Sequence, residues 1–326
     1  MQVRNHSIDI IKIIAMFGVV CLHTTLQYIT PCNISMADIL YRTAVISIPL
    51  FFMTSGYLML GRKDINYTYV SHKIVNIIKF VFAIIFLWWL LHSAKQHSLD
   101  LNILARTFFC SFIQKGSFGI FWYFGAMVII YTLLPLLNYI YEHNVKVFKF
   151  LLITLFVICN IIFICNLLWG GELSVIQSFR VWNWLFYFCL GGYVKHISTL
   201  RIKSIYIILL ILFNLVFQEV LIPYIGTELC EYFYSSLIVM LLSASIFKYI
   251  IDKPIHNNSL LNKISVLFLP VYTFHMFIIK YTQESFSQIE FGFIEPFIYW
   301  IFISVSTVIL SYCIMKIQII NKIFKL

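Results

Sequence analysis

The stretch IDIIKIIAMFGVVCLHTTLQYI, residues 8–29, decides the fold. A helix rises 1.5 Å per residue, so about 20 apolar residues cross a hydrocarbon core about 30 Å thick, and this stretch has that length and character. It also holds Asp9, Lys12 and His23, side chains that carry or can take up charge near neutral pH. A charged group at the centre of a bilayer costs roughly 2.5–3.5 kcal/mol on insertion scales, so such residues within a span need a reason. Asp9 and Lys12 stand three apart, share a helix face and are placed to pair. Lys12 and His23 stand eleven apart, close to three full turns and about 16 Å of rise, so they line one stripe at two depths. With entry from the cytoplasm, Lys12 sits just inside the inner boundary and His23 lies beyond the midplane.

The rest of the chain repeats this pattern. Of its 326 residues 61% are apolar and only 11% charged, against roughly 25% charged in a soluble domain. Apolar spans are expected at 8–29, 38–60, 74–93, 118–139, 148–168, 181–196, 203–221, 232–251, 264–281 and 293–316. They predict an all-α polytopic membrane protein of about ten transmembrane helices with both termini cytoplasmic, a single integral-membrane domain over residues 1–326. The first span has charges inside its apolar run and no small-residue cleavage site after it, so it reads as a retained helix and not a signal peptide.

Lys and Arg number 23 against 13 Asp and Glu, and their placement says more than their sum. Sixteen of the basic residues fall in the expected inner segments, and five, Lys95, Arg106, Lys115, Arg180 and Lys280, in outer ones. That asymmetry is the positive-inside pattern of a multi-pass protein, and it accounts for the net charge of +10 with no nucleic-acid partner.

The eight cysteines show no paired metal-ligand spacing, and no metal is implied. Cys21, Cys159, Cys165, Cys189 and Cys313 read as small apolar residues within spans. Cys32, Cys110 and Cys230 lie near the outer face, where a disulfide is chemically allowed. The longest outer connection, about residues 94–117, contains LDLNILARTFF, which predicts a short helix on the membrane surface. Neither a solenoid repeat nor the inverted repeat of many transporters is signalled.

The second span runs back from outside to inside. Depth matching places Arg42 to Ser47 level with His23, and Ser55 level with Lys12. Arg42, near the outer boundary, has two readings, a snorkelling anchor or a contact for an anionic or sugar substrate. In FFMTSGY, residues 51–57, the small Ser55 and Gly56 let another helix or a ligand approach the backbone closely. Lys12 is either an interfacial anchor or a ligand contact. His23 is either a helix-to-helix hydrogen bond or a general base, since imidazole titrates near neutrality.

These residues carry a resemblance to the membrane acyltransferase-3 family of bacterial polysaccharide O-acetyltransferases, and it spans nearly the whole chain. The family's opening helix has an acidic residue, a basic residue three positions on, then ten residues and a histidine. Asp9, Lys12 and His23 in IDIIKIIAMFGVVCLH match it. IPLFFMTSGYL in the second span is similar to the family's proline, aromatic pair and Ser-Gly-aromatic signature. FWYFGAMVIIYTLLPLL, with Trp122, Tyr123, Tyr131 and Pro135, and FYFCLGGYV, with Phe188, Gly191, Gly192 and Tyr193, are weaker echoes. VYTFHMFII resembles the closing motif with its histidine, here His275. There are departures. SHKIVNIIK offers Lys73, Asn76 and Lys79 where the family has an arginine pair, and lysine stands at position 12 where many members have arginine. A point charge there replaces a bidentate fork. The hydrolase-like extracytoplasmic domain of some relatives does not follow the last span, so the resemblance implies that this chain acts alone or with a separate partner.

The resemblance implies a bacterial inner-membrane enzyme that moves an acyl group, most often acetyl, from cytoplasmic acyl-CoA to a hydroxyl of a cell-surface glycan or lipid-linked sugar, with no permanently bound cofactor. Lys12, Arg62, Lys63, Lys73 and Lys79 gather at the expected inner ends of the first three spans, where donor phosphates would lie, and Ser55 is level with them. His23 would deprotonate the acceptor or relay the acyl group, with Asp9 orienting Lys12. Arg42, Tyr131, Trp122 and His275 are candidates for the acceptor, the oxyanion or proton handling. A transporter or flippase of a sugar or lipid intermediate is the alternative. Oligomeric state is not legible.

Overall fold

The computed structural model describes residues 5–29, 35–169, 175–197, 199–225, 230–255, 258–286 and 292–324, and among them the chain is helices and connecting turns with no strand. Cys32 lies outside the described residues, and Cys110 is a free thiol. Helix α1 (His6–Thr25) starts where the Asn5 side chain accepts from the backbone N–H groups of Ser7 and Ile8, meeting donors that a helix start leaves open. Ser35 and Asp38 cap α2 (Met36–Ala44) reciprocally, and a turn at 45–46 leads into α3 (Ser47–Met59).

Asn66 caps α4 (Tyr67–Gln96), so this helix begins seven residues before the expected 74 and carries Lys73 as well as Lys79. The predicted short helix of the long connection is α5 (Leu101–Ser111), capped by Asp100. Next come α6 (Trp122–His143), α7 (Val145–Leu168), α8 (Val181–Tyr193), α9 (Ser204–Ile225) and α10 (Leu237–Ile251). The chain then forms α11 (Ser259–Val266), α12 (Phe268–Phe286), α13 (Glu295–Met315) and α14 (Gln318–Ile323).

Seven of these helices, or helices with a contiguous turn, are long and apolar enough to cross a membrane, and eight are if α11 and α12 form one span. The expected count of ten is reduced because α8 has 13 residues and α10 has 15, short of a full crossing at 1.5 Å per residue. The axes of α11 and α12 differ by 59°. Pro270 explains the break, because it has no N–H to give to the carbonyl four residues earlier, at Val266.

The helices are not equivalent. In the α2–α3 span 78% of the most apolar window is buried, against 11% in α9, so the former is central and the latter faces lipid. Helix α1 packs on α2, α3, α10, α11, α12 and α13. Helix α3 meets α8 backbone to backbone. A Cβ on Gly56 would fall 1.8 Å from the Phe188 carbonyl oxygen, and one on Gly191 2.0 Å from that of Met53. Helices α1 and α3 meet backbone to side chain, where a Cβ on Gly18 would fall 1.9 Å from Ser47 Oγ. Ser47 therefore lies at the depth of Gly18, about one turn short of the expected level with His23, because the second span is broken at 45–46 and is not one straight rod.

Candidate active site

A cavity of about 390 Å³ lies between α1, α3, α4, α6 and α12. Helical periodicity explains its walls. On α3 the lining residues Ile48, Phe51, Ser55 and Leu58 recur every three or four positions, on the face turned away from Gly56 and α8. On α4 Tyr69, Lys73 and Ile77 are each four apart, and on α6 so are Tyr123, Met127 and Tyr131. The bend before α12 sets Phe268, Leu269 and Tyr272 along the remaining side. Lys12 from α1 and Arg62 from the α3–α4 turn complete the lining, which holds three cationic side chains and no carboxylate.

Lys12 and Arg62 each have an aromatic or acidic neighbour. The Lys12 ammonium lies 5.4 Å from the centre of the Phe268 ring. Arg62 lies 5.2 Å from the Tyr69 ring and donates from Nε to Asp64 at 2.9 Å. The Asp64 hydrogen bond raises the Arg62 guanidinium above its ordinary value, so it stays charged. Asn138 on α6 holds the turn itself, accepting from the Gly61 N–H at 2.7 Å and donating to the Arg62 carbonyl at 2.9 Å. Gly61 has φ +83°, a left-handed conformation that glycine adopts at little cost. Deeper in the cavity, Ser55 Oγ donates to the Phe51 carbonyl at 3.0 Å and lies 3.4 Å from the Tyr123 hydroxyl.

One helical turn past the cavity stand two histidines. The rings of His23 on α1 and His275 on α12 are 5.2 Å apart, centre to centre, tilted by 40°. On α1 the stripe from Lys12 to His23 passes through the buried Ala15, Met16 and Val19. On α12 Phe268, Tyr272 and His275 share a face at spacings of four and three, so the cavity's last wall residue leads directly to the pair. Tyr272 touches both the cavity and the pair. It lines the cavity, its ring is 6.1 Å from that of His275, and its hydroxyl donates to the Ile120 carbonyl. His23 is half-buried and His275 fully buried.

The structure thus brings together Lys12, Ser55, Arg62, Lys73 and Tyr131 in one cavity and sets His23 against His275 beyond it. It leaves Lys63, Lys79, Arg42, Trp122 and Asp9 off the cavity lining. Lys63 is exposed beside Arg62 in the turn. Lys79 is exposed because six residues on a helix turn through about 240° from the face of Lys73. Arg42 is buried between the carboxylates of Asp38, at 3.1 Å, and Glu219, at 2.7 Å. Trp122 packs against Trp184 with ring centres 5.2 Å apart. Asp9 accepts from Ser265 Oγ at 2.9 Å and lies 3.6 Å from His6. Sequence reasoning did not single out Tyr272, Tyr69 or Asn138, although Tyr272 stands three positions before a histidine already chosen.

Fold and site define a multi-pass helical membrane protein whose bundle encloses a cation-lined cavity leading to paired histidines. The comparison with known families is more specific: the acyltransferase-3 family, described as an acyltransferase domain, matches residues 5–316, and the chain belongs to that family. It is also 32% identical over 143 residues to an amino-acid racemase of Enterococcus faecalis, a match that covers 42% of this chain and 20% of the racemase. The matched region is thus about a fifth of that relative's length. No solved structure matches.

Proposed function

We propose that this chain is an O-acyltransferase of a bacterial inner membrane that carries an acyl group, acetyl in the simplest case, from cytoplasmic acyl-CoA to a hydroxyl of a surface glycan or lipid-linked sugar. The observation that carries this reading is the cavity, which is cationic from Lys12, Arg62 and Lys73, aromatic along its walls, and ends one turn from His23 and His275. The charge bias of the loops supports a cytoplasmic Arg62 end. Phosphates of the donor meet the three cations there, and the apolar walls take the pantetheine arm and acyl group.

His23 acts as the general base. The acceptor hydroxyl gives its proton to His23, the new C–O bond forms as the thioester C–S bond breaks, and the departing sulfur takes the proton as free thiol. Tyr123, whose hydroxyl lies 3.4 Å from Ser55 Oγ in the cavity, can donate to the oxygen of the developing tetrahedral centre, and Ser55 can do so once its hydroxyl turns from the Phe51 carbonyl. Tyr272 must turn aside for the thioester to meet His23, which keeps the donor from water until an acceptor arrives.

The test is purified protein in liposomes with radiolabelled acetyl-CoA and a sugar acceptor. Label transferred to the acceptor, and lost in His23→Ala while that variant still accumulates, is the expected result. A general base contributes about 10²–10⁴ in rate, so the loss is large. Normal acylation by His23→Ala overturns the assignment. Movement of the acceptor across the bilayer with no consumption of acyl-CoA selects the transporter reading. Labelled protein trapped on His23 before acceptor is added converts the base into an acyl relay.

A further inference from the structure

The closing histidine is more ordered than a packing residue needs to be. His275 Nδ1 lies 3.1 Å from the Val271 carbonyl oxygen. A carbonyl only accepts, so Nδ1 carries the hydrogen and the neutral ring keeps its lone pair on Nε2. That Nε2 is buried and has no hydrogen-bond partner among the described residues, in a side chain with 0% exposure. An acceptor left unmet inside a protein is costly, so such an atom is open to a donor that arrives during function. The neighbouring ring is that of His23, 5.2 Å away between centres, and imidazole has one nitrogen to donate while the other accepts.

We propose that His275 is a positioning residue for His23: its Nε2 accepts the N–H of His23 in the reacting complex, which leaves the other His23 nitrogen bare toward the acceptor hydroxyl. The inference rests on the reading of His23 as the base. The Val271 carbonyl, His275, His23 and the hydroxyl then form one chain in which every donor has one acceptor. As His23 takes the acceptor's proton it becomes imidazolium, and the bond to His275 Nε2 strengthens at that moment, where it lowers the barrier. A ring turned the wrong way offers the hydroxyl an N–H and removes no proton.

Two substitutions separate this from packing. In His275→Asn the amide nitrogen stands near Nδ1 and keeps a donor for Val271, but nothing replaces Nε2. In His275→Gln the amide reaches the Nε2 position and its oxygen restores an acceptor. The expected result is a kcat lowered about a hundredfold in His275→Asn with KM for acetyl-CoA unchanged, and a loss of less than about tenfold in His275→Gln. Activity equal to wild type in both variants, or equal loss in both with normal accumulation, overturns the proposal. So does failure of both to accumulate in membranes, since His275 is then a packing residue. If only one accumulates, its own kcat decides by the same figures. His23→Ala is run beside them: if it retains activity the base assignment fails, whereas loss in His23→Ala with wild-type rates in both His275 variants defeats this inference alone.

Discussion

Arg42 and Lys73 are both cations drawn into a bundle that is mostly apolar, and their surroundings are opposite. Arg42 sits between Asp38 and Glu219, and its own carbonyl accepts from Asn214 at 3.1 Å and Gln218 at 3.3 Å, so α2 and α9 close around it. Lys73 is half-buried at a cavity that also receives Lys12 and Arg62 and has no carboxylate in its lining. A buried charge with carboxylates around it joins helices. A set of like charges around a space repels itself and is relieved by an anion. The difference is the one expected between a structural ion pair and a ligand site, a distinction that burial alone does not make.

The largest effect expected from this contrast is on Arg42. Removing one member of a buried pair leaves the other charge uncompensated and costs about 3–5 kcal/mol. Arg42→Leu therefore lowers accumulation in membranes and the thermal midpoint in detergent, with the surviving fraction keeping its KM for acetyl-CoA. A raised KM with normal stability would move Arg42 back into the substrate site. Next in size is Lys73→Met. Hydrogen bonds to charged groups are worth roughly 1.5–3 kcal/mol, so KM for acetyl-CoA rises about ten- to a hundredfold while the thermal midpoint holds or increases. Added salt should weaken donor binding in wild type more than in this variant. Loss of stability in Lys73→Met would erase the contrast.

The same contrast shows what the sequence makes legible. Span positions follow from apolar run length, and all ten expected segments fall on helices, because in lipid the chain must satisfy its backbone locally. The Lys12–His23 stripe follows from helical period within one element. What is not legible depends on elements far apart in the chain. Glu219 on α9 gives Arg42 a second carboxylate partner, and no spacing within the second span reveals that. Lys63 and Arg62 look equivalent, yet Asn138 on α6 fixes the turn so that Arg62 alone of the two lines the cavity. That Lys79 falls outside the cavity lining follows only once the Asn66 cap sets where α4 starts. His275 reaches His23 through the bend that Pro270 imposes, which brings a closing motif and an opening motif together.

Asn138 allows a smaller test of how the cavity is held. It spans the turn with two hydrogen bonds and is 4% exposed. Asn138→Ala removes both, at about 0.5–1.5 kcal/mol each, and frees Arg62 to leave the cavity. KM for acetyl-CoA should rise about tenfold with kcat unchanged, measured with the same assay. A fall in kcat with constant KM would instead connect the turn to the reaction centre.

The smallest effect has the opposite sign. Asp64 is exposed and holds Arg62 through Nε and Nη2, so in the empty protein it occupies the fork that a donor phosphate would use. Exposed ion pairs contribute little, so breaking this one costs little when the donor binds. Asp64→Asn removes that competitor, and KM for acetyl-CoA should fall by up to about fivefold, most clearly at low salt where the pair is least screened. The sign decides the role of the acid. A lower KM identifies Asp64 as a placeholder for phosphate, whereas a higher KM means that it aims Arg62 into the cavity and belongs with Asn138 among the groups that build the turn.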